Sequence, residues 1–266
     1  MPEPTQAPNQ NILQSPFTRQ PLVPDPSGRF LADLSTGQKF RLDRGLLVIP
    51  DPQESSTVSR EARKWFDLLG VALTYDYRIK QGLKKRGVDE HQMRQHFVGQ
   101  LGIKDGDRVL EISMGTGSNI PYFSPTIHFV GLDISRNMLR VAQKKARKFA
   151  GEVLLIWMDA SKRLPFIDRS FDVVFHMAGI QFFADPAGCI AEMIRVAKPG
   201  TKILVADEAY TLPATLGRAG IQPASNTEEN LKKLFGLLPA GVTDPASAMI
   251  YNGELYCLSF CTSSEH

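Results

Sequence analysis

The chain has few cysteines and no long apolar run. It has only three cysteines in 266 residues, Cys189, Cys257 and Cys261. They show no CxxC pairing and no partner histidines at zinc-ligand spacing, so we expect neither a disulfide framework nor a metal site. The longest apolar runs, such as VLLIWM, fall short of the roughly 18–20 residues that a membrane span needs, and no basic-then-apolar signal peptide opens the chain. We therefore expect no membrane span and a cytoplasmic location.

The chain also lacks a strong charge of either sign, since its formal net charge is +3. Its densest basic stretch is Lys144, Lys145, Arg147 and Lys148, on a predicted helix whose other face is apolar. This pattern is typical of a solvated helix face rather than of a nucleic-acid surface. We therefore do not expect a nucleic-acid partner.

The composition changes along the chain and predicts three parts. Residues 1–11 are rich in Pro, Gln and Asn without periodicity, which predicts a disordered start. Residues 12–55 contain short β-like runs between turn signals, which predicts a small β-rich module. Residues 56–266 should form the main domain.

Within the main domain, strand-like and helix-like segments alternate regularly. RVLEIS, HFVGLDI, VLLIWMD, FDVVFHMA and TKILVADEA are near-continuous apolar runs, as helix-covered parallel strands are. AMIY and ELYCLSF flank Asn252-Gly253, which is a strong hairpin signal. We predict an α/β fold with a doubly wound, mostly parallel seven-stranded sheet and a terminal antiparallel hairpin.

Acidic residues end three successive predicted strands: Glu111, Asp133 and Asp159. In a doubly wound sheet, ligands bind at the carboxyl ends of the strands. Carboxylates there would accept hydrogen bonds from a ligand rich in donors, such as a ribose diol, an adenine amine and an ammonium group. S-adenosylmethionine carries all three.

A glycine-rich turn, SMGTGSN, follows the first of these strands. Gly115 and Gly117 allow backbone amides to approach a ligand with no Cβ in the way. The GxGxxG pattern of dinucleotide sites would need a third glycine at position 120, which is Ile120. The incomplete pattern argues against a dinucleotide.

The ordered segments VLEISMGTGSN, GLDISRNML, WMDASKRLPF, SFDVVF and MIRVAKPGTKILVADE resemble the motifs of class I S-adenosylmethionine-dependent methyltransferases over residues 75–262. The nearest groups are the ubiquinone/menaquinone C-methyltransferases and the phospholipid N-methyltransferases, with ALTYDY similar to a stretch that precedes their fold. The resemblance implies a methyltransferase with S-adenosylmethionine as its cofactor. Ser113 and Thr201 stand where these families usually have glycine.

The resemblance also implies roles for individual residues. Glu111 would lie beside the methionine end of the cofactor, and Asp133 would bind the ribose hydroxyls. Asp159 would accept from the adenine amine. The other cofactor-binding residues that the resemblance implies are Tyr75, over the methionine carboxylate, Ser113, Gly115, Gly117 and Asn119 in the turn, Ile134 and Met138 around the adenine, and Ala160 beside Asp159.

The reacting groups should lie where the fourth and fifth strands end. His176 is the first candidate for a catalytic base, and Asp207, Glu208 and Tyr210 are the next candidates. A buried structural histidine is the alternative for His176. Substrate contacts are expected from Tyr77, Phe182, Phe183 and Tyr210, and from an apolar segment at residues 211–227. These residues favour a small hydrophobic or amphipathic substrate.

The N-terminal module is similar to the zinc ribbons that precede some methyltransferase domains. Ser15 and Thr18 stand where the first pair of cysteines would be, so zinc should be absent. This similarity keeps open a second function, rRNA or tRNA methylation. A third is a cofactor-binding protein of the same fold that catalyses a cyclisation or rearrangement without methylation. The sequence leaves the acceptor atom and the oligomeric state open.

Overall fold

In a computed structural model of the chain, which describes residues 9–50, 63–208 and 227–264, eleven strands form one sheet. The strands are β1 Leu22–Pro24, β2 Phe30–Asp33, β3 Lys39–Asp43, β4 Leu46–Val48, β5 Arg108–Ile112, β6 His128–Asp133, β7 Glu152–Trp157, β8 Val173–Met177, β9 Lys202–Glu208, β10 Thr243–Ile250 and β11 Leu255–Cys261. The helices are α1 Leu69–Lys85, α2 Glu90–Gln100, α3 Arg136–Ala146, α4 Pro186–Val196 and α5 Thr227–Phe235.

The predicted seven-stranded sheet is confirmed. From β7 onward the spatial order is β7-β6-β5-β8-β9-β11-β10. The first five of these strands are parallel, and β11 runs antiparallel to both β9 and β10. Asn252 and Gly253 both have positive φ in the turn between β10 and β11, as the hairpin signal predicts.

The strands of the predicted N-terminal module continue this sheet. β1 to β4 form an antiparallel meander, and β4 pairs in parallel with β7, with Leu46 opposite Leu155. The module therefore lengthens the main sheet at one edge, where the sequence indicated a small attachment. The division into parts at residues 11 and 55 stays a prediction, although Asn9, inside the expected disordered start, is buried and donates to the Phe129 carbonyl.

The sheet separates two apolar layers, because successive side chains of each strand point to opposite faces. One layer contains the inner faces of α4 and α5, represented by Met193 and Leu234. The other contains those of α2 and α3, represented by Phe97 and Leu139. Helices thus cover both faces, which is the doubly wound arrangement.

Side-chain caps begin three of the helices close to the strand ends. The Asp89 carboxylate accepts from the Gln92 amide at α2, and Ser135 accepts from the Met138 amide at α3. Asp185 accepts from the Gly188 amide at α4, and Pro186 occupies the first helical position. These caps fix the residue at which each helix starts.

Hydrogen bonds connect the positions that a zinc ribbon would use for metal ligands. The buried Asp33 carboxylate accepts from the Thr18 hydroxyl and from the amide and hydroxyl of Ser35. The Ser15 hydroxyl accepts from the Thr18 amide at 3.4 Å. Within the described ranges no three or more His, Cys, Asp or Glu side chains are grouped as a metal site would require, and no helix is long and apolar enough to cross a bilayer.

Candidate functional site

The glycine-rich turn after β5 is held in a left-handed backbone conformation. Ser113, Gly115 and Gly117 have φ values of +58°, +56° and +70°. A Cβ at Gly117 would lie 2.8 Å from Cδ1 of Ile120, and its φ of +70° also favours glycine there. Ser113 adopts the left-handed conformation despite its Cβ, so its backbone is strained. The methyltransferase families that the sequence resembles usually have glycine at this position.

The predicted acid Asp133 connects the glycine-rich turn to the residue that caps α3. The Asp133 carboxylate accepts from the Gly115 amide at 2.8 Å and from the Ser135 amide at 2.7 Å. Burial raises the pKa of Asp133 to about 6. Its oxygens keep unused lone pairs, so the group can also accept from a ribose diol.

Glu111 is the most perturbed acid of the site. Its Oε1 accepts from the Asn119 amide nitrogen at 2.7 Å, and its Oε2 is buried without a hydrogen-bond partner within the described ranges. Burial raises the pKa of Glu111 to about 8, although the bond from Asn119 and the charge of Arg94 oppose the shift. A buried carboxylate oxygen without a donor fits the ammonium group of a methionine moiety.

Arg94 is a site residue that the sequence analysis missed. It lies on α2, where its Nη1 donates to Asn119 Oδ1 at 2.9 Å and its Nε to Glu90 at 2.9 Å. Four residues after Glu90 on a helix, it has the sequence pattern of an ordinary surface ion pair. Only the packing of α2 against the glycine-rich turn brings its charge to Glu111.

The predicted adenine-binding residues lie at the ends of β6 and β7. Asp159 Oδ1 accepts from the Ser161 amide, and its Oδ2 is buried without a partner among the described residues, which fits an adenine amine. The Ile134 carbonyl accepts from Trp157 Nε1 at 2.8 Å. Ala160 and Met138 are buried, and Met138 packs against α1.

A segment at residues 63–68 covers this half of the site. The Phe66 carbonyl accepts from the Ser135 hydroxyl, and the Asp67 carboxylate accepts from the Asn137 amide at the start of α3. The Phe66 ring lies edge-on to Phe182, with the ring centroids 5.7 Å apart. The segment therefore covers the predicted adenine-binding residues at the start of α3.

A second network joins α1 to the glycine-rich turn. The Asp76 carboxylate accepts from the Thr116 and Ser118 hydroxyls and from Lys145 Nζ, the last at 2.7 Å. These bonds hold α1, and with it Tyr75, over the turn.

A cavity of about 420 Å³ lies at the predicted methionine end of the site. Its walls come from α1, α2, the glycine-rich turn and the ends of β8, β9 and β11. The apolar part includes Trp65, Phe66, Val71, Ile79 and Met93. Among the predicted cofactor residues, the cavity is lined by Tyr75, Glu111, Ser113, Gly115 and Asn119.

The predicted substrate residues are dispersed. Tyr77 is 66% exposed on the outer side of α1, and Phe182 packs on Phe66. Phe183 packs into the apolar layer beneath α4, where its ring lies 5.6 Å from that of His176. None of the three lines the cavity. Tyr210 and residues 211–226 of the predicted apolar segment lie outside the described residues.

The two predicted catalytic residues also lie away from the cavity. His176 is fully buried, and its Nδ1 is 3.1 Å from the Ile112 carbonyl, to which it donates as a neutral ring. Burial lowers the pKa of His176 to about 4. The Asp207 carboxylate accepts from the amides of Gly179 and Glu208. This setting matches the structural alternative for His176, and the catalytic role of both residues stays a prediction.

Comparison with known proteins finds that the chain is similar to methyltransferases. Residues 110–205 match a family model described as a methyltransferase domain. The demethylmenaquinone methyltransferase of Renibacterium salmoninarum is 38% identical over 118 residues, which are 44% of this chain and 48% of that protein. The ubiquinone/menaquinone biosynthesis C-methyltransferase UbiE of Stutzerimonas stutzeri is 36% identical over 168 residues, 60% of this chain and 61% of that protein.

Solved structures share the fold. Phosphoethanolamine N-methyltransferase 2 of Haemonchus contortus, in complex with S-adenosyl-L-methionine, superposes with a TM-score of 0.58 at 16% identity, covering 81% of this chain and 61% of that one. The chain thus spans about half to three fifths of the length of these relatives. Residues 110–205 thus match a methyltransferase-domain model, and the strand order, glycine-rich turn and strand-end acids described above agree with the class I, S-adenosylmethionine-dependent methyltransferases that the sequence resembles.

Proposed function

We propose that the protein transfers a methyl group from S-adenosylmethionine to a small hydrophobic or amphipathic molecule. The observation that carries the proposal is the pairing of two features at the end of β5. The buried Glu111 carboxylate, with an oxygen lacking a donor among the described residues, lies at the wall of a largely apolar cavity of about 420 Å³. Glu111 fits the charged end of the cofactor, and the apolar part of the cavity fits an acceptor molecule next to it.

The chain's own residues would hold the cofactor along the strand ends. Glu111 would accept from the ammonium group, Asp133 from the ribose diol and Asp159 from the adenine amine. Tyr75 and Arg94, which close the methionine end, would face its carboxylate. The bound cofactor supplies an electrophilic methyl group on a sulfonium.

Catalysis in such a site depends on alignment and on exclusion of water. The apolar side chains of α1 and α2 around the cavity would remove water from the acceptor, and the acceptor atom must lie in line with the methyl group and the sulfur. The curated relatives are named for quinone methylation, which supports an aromatic acceptor with an apolar body.

Binding and turnover test the proposal separately. Calorimetric titration with S-adenosylhomocysteine should show one site, and Asp159→Asn should weaken it because an amide nitrogen there would meet the adenine amine. Asp105→Asn, at an exposed acid in a distant loop, serves as the matched control.

Methyl-labelled cofactor then separates the three candidate functions. Incubation with demethylated quinols and with total RNA should place label in the small molecule. Label in RNA, or a product without label, would identify one of the two alternative functions and contradict this one.

A further inference from the structure

The alternation of side chains along β8 and β9 decides which residues can meet the acceptor. On β8, Val173, Phe175 and Met177 face the layer that contains the cavity, whereas Val174 and His176 face the opposite layer. On β9, Leu204 and Ala206 face the cavity layer, and Ile203 and Val205 face away. Glu208 continues the first series and lines the cavity, while Asp207 continues the second.

Glu208 lies at the last position of β9, opposite Leu255 of β11, and is half-buried. Its carboxylate accepts no hydrogen bond from the residues that the structure describes. Burial and the neighbouring Asp207 raise the pKa of Glu208 to about 7, and Arg86 and Arg94 oppose that shift. Within the described ranges, the titratable and charged groups that interact with it are Tyr75 and Arg86 at α1, Arg94 on α2, Asp207 on β9, Glu254 before β11 and Tyr256 on β11.

We propose that Glu208 is the proton acceptor of the methyl-transfer step and that the acceptor molecule is a weak oxygen or carbon acid, such as a phenol or hydroquinone. This inference rests on the proposed function. A phenolic ring matches the apolar walls of the cavity. Its hydroxyl needs a nearby carboxylate to take its proton, and Glu208 lies at the cavity wall.

The step balances in atoms and charge. The O–H bond of the acceptor breaks and its proton goes to the Glu208 carboxylate, which becomes a neutral carboxylic acid. The electron pair released, directly or through the ring carbon, forms the new bond to the methyl group. The bond from methyl to sulfur breaks, and its electron pair stays on sulfur as a neutral thioether. The acid then returns its proton to water.

Of the other two carboxylates that line the cavity, one is paired with an arginine and the other lies in the proposed cofactor site. The buried Glu254 accepts from Arg86 Nε at 3.0 Å. Glu111 accepts from Asn119 and lies at the methionine end, where the cofactor would cover it. Glu208 is therefore the acid at the cavity wall that has both a suitable position and room for an acceptor molecule.

Glu208→Gln tests the inference because it keeps the size of the side chain and removes the base. The assay uses 1,4-naphthohydroquinone under anaerobic conditions as the acceptor, with labelled cofactor. General-base catalysis contributes roughly 10²–10⁴-fold, so we expect kcat to fall by about that factor while S-adenosylhomocysteine affinity stays within about twofold. The matched control is Glu229→Gln on α5, an exposed acid paired with Lys233, which should leave kcat unchanged.

Two further readouts separate a base from a structural residue. In the unaltered protein, log kcat/KM should rise with pH at unit slope and level off near pH 7, because only the ionised carboxylate accepts a proton; Glu208→Gln should lose this limb. Glu208→Ala should recover activity when sodium formate is added, since a free carboxylate can replace the missing one.

Three results would overturn the inference. They are an unchanged kcat in Glu208→Gln, a pH limb that persists in that variant, and an unaltered protein that binds S-adenosylhomocysteine without methylating the hydroquinone. The last result would reject the acceptor class and leave the proposed function standing. Failure to bind S-adenosylhomocysteine at all would instead reject the proposed function.

Discussion

Replacing Glu111 by Gln should stabilise the protein at neutral pH and weaken its cofactor binding. Glu111 is buried at the end of β5, and burial raises its pKa to about 8 from an ordinary value of 4.5. The folded protein therefore binds this proton more tightly than the unfolded chain does. Its stabilising contribution is fully present below pH 4.5 and is lost as the pH rises towards 8.

The size of the effect follows from those two pKa values. Each pH unit between them lowers the free energy of unfolding by about 1.36 kcal/mol, so raising the pH from 5 to 7.5 removes about 3 kcal/mol at most. Gln has no proton to lose and escapes this loss. Other carboxyl groups with a raised pKa, such as Asp133, titrate in both proteins. Their contributions therefore cancel when the stabilities of the two proteins are subtracted.

Thermal unfolding of both proteins at pH 5 and pH 7.5 measures the prediction. At roughly 2–4 °C per kcal/mol for a chain of this size, the Tm of Glu111→Gln minus that of the unaltered protein should rise by up to about 6–12 °C between the two pH values. Exposed Glu229, replaced by Gln, should show no such trend. A Tm difference that is equal at both pH values would refute the argument that Glu111 is held desolvated.

Cofactor binding should favour the unaltered protein over Glu111→Gln, which is the reverse of the stability order expected without a ligand at neutral pH. A hydrogen bond from an ammonium group to a carboxylate contributes about 1.5–3 kcal/mol, so Glu111→Gln should bind S-adenosylhomocysteine about 10- to 150-fold more weakly. Saturating S-adenosylhomocysteine should accordingly raise the Tm of the unaltered protein more than that of the variant.

Three further changes test other parts of the site and the sheet. Asp133→Asn should weaken S-adenosylhomocysteine binding by at least about tenfold in calorimetry, since one acceptor oxygen becomes a donor facing the ribose. Ser113→Gly should raise the Tm, because it relieves about 1 kcal/mol of strain at φ +58°; an unchanged Tm would contradict the strained conformation. Asp33→Asn should lower the Tm and speed proteolysis near Thr18, whereas a chelator should leave the Tm of the unaltered protein unchanged; a fall with chelator would mean that a metal holds this region.

Much of the fold could be predicted because its signals are local. Continuous apolar runs predicted the parallel strands, and Asn252-Gly253 predicted the turn between β10 and β11, which depends on the conformation of adjacent residues. The position of Glu111 at the end of β5 followed from the same local pattern, since the residue ends an apolar run before a glycine-rich turn.

The pairing of the N-terminal strands with the main sheet had no local signal. β4 joins β7 across more than one hundred residues of chain, and a short apolar strand such as Leu46–Val48 can pair with any free sheet edge. Likewise, Arg94 could not be assigned to the site until α2 was packed against the glycine-rich turn.

The order of strands and helices in the main domain and the acids at the strand ends could be predicted from the amino-acid pattern. The tertiary structure alone decided which of two adjacent residues faces the acceptor cavity, because a shift of one position along a strand moves a side chain to the other face of the sheet. His176 and Asp207 stood at the predicted strand ends, yet the twist and packing of the sheet direct Met177 and Glu208 to the cavity instead.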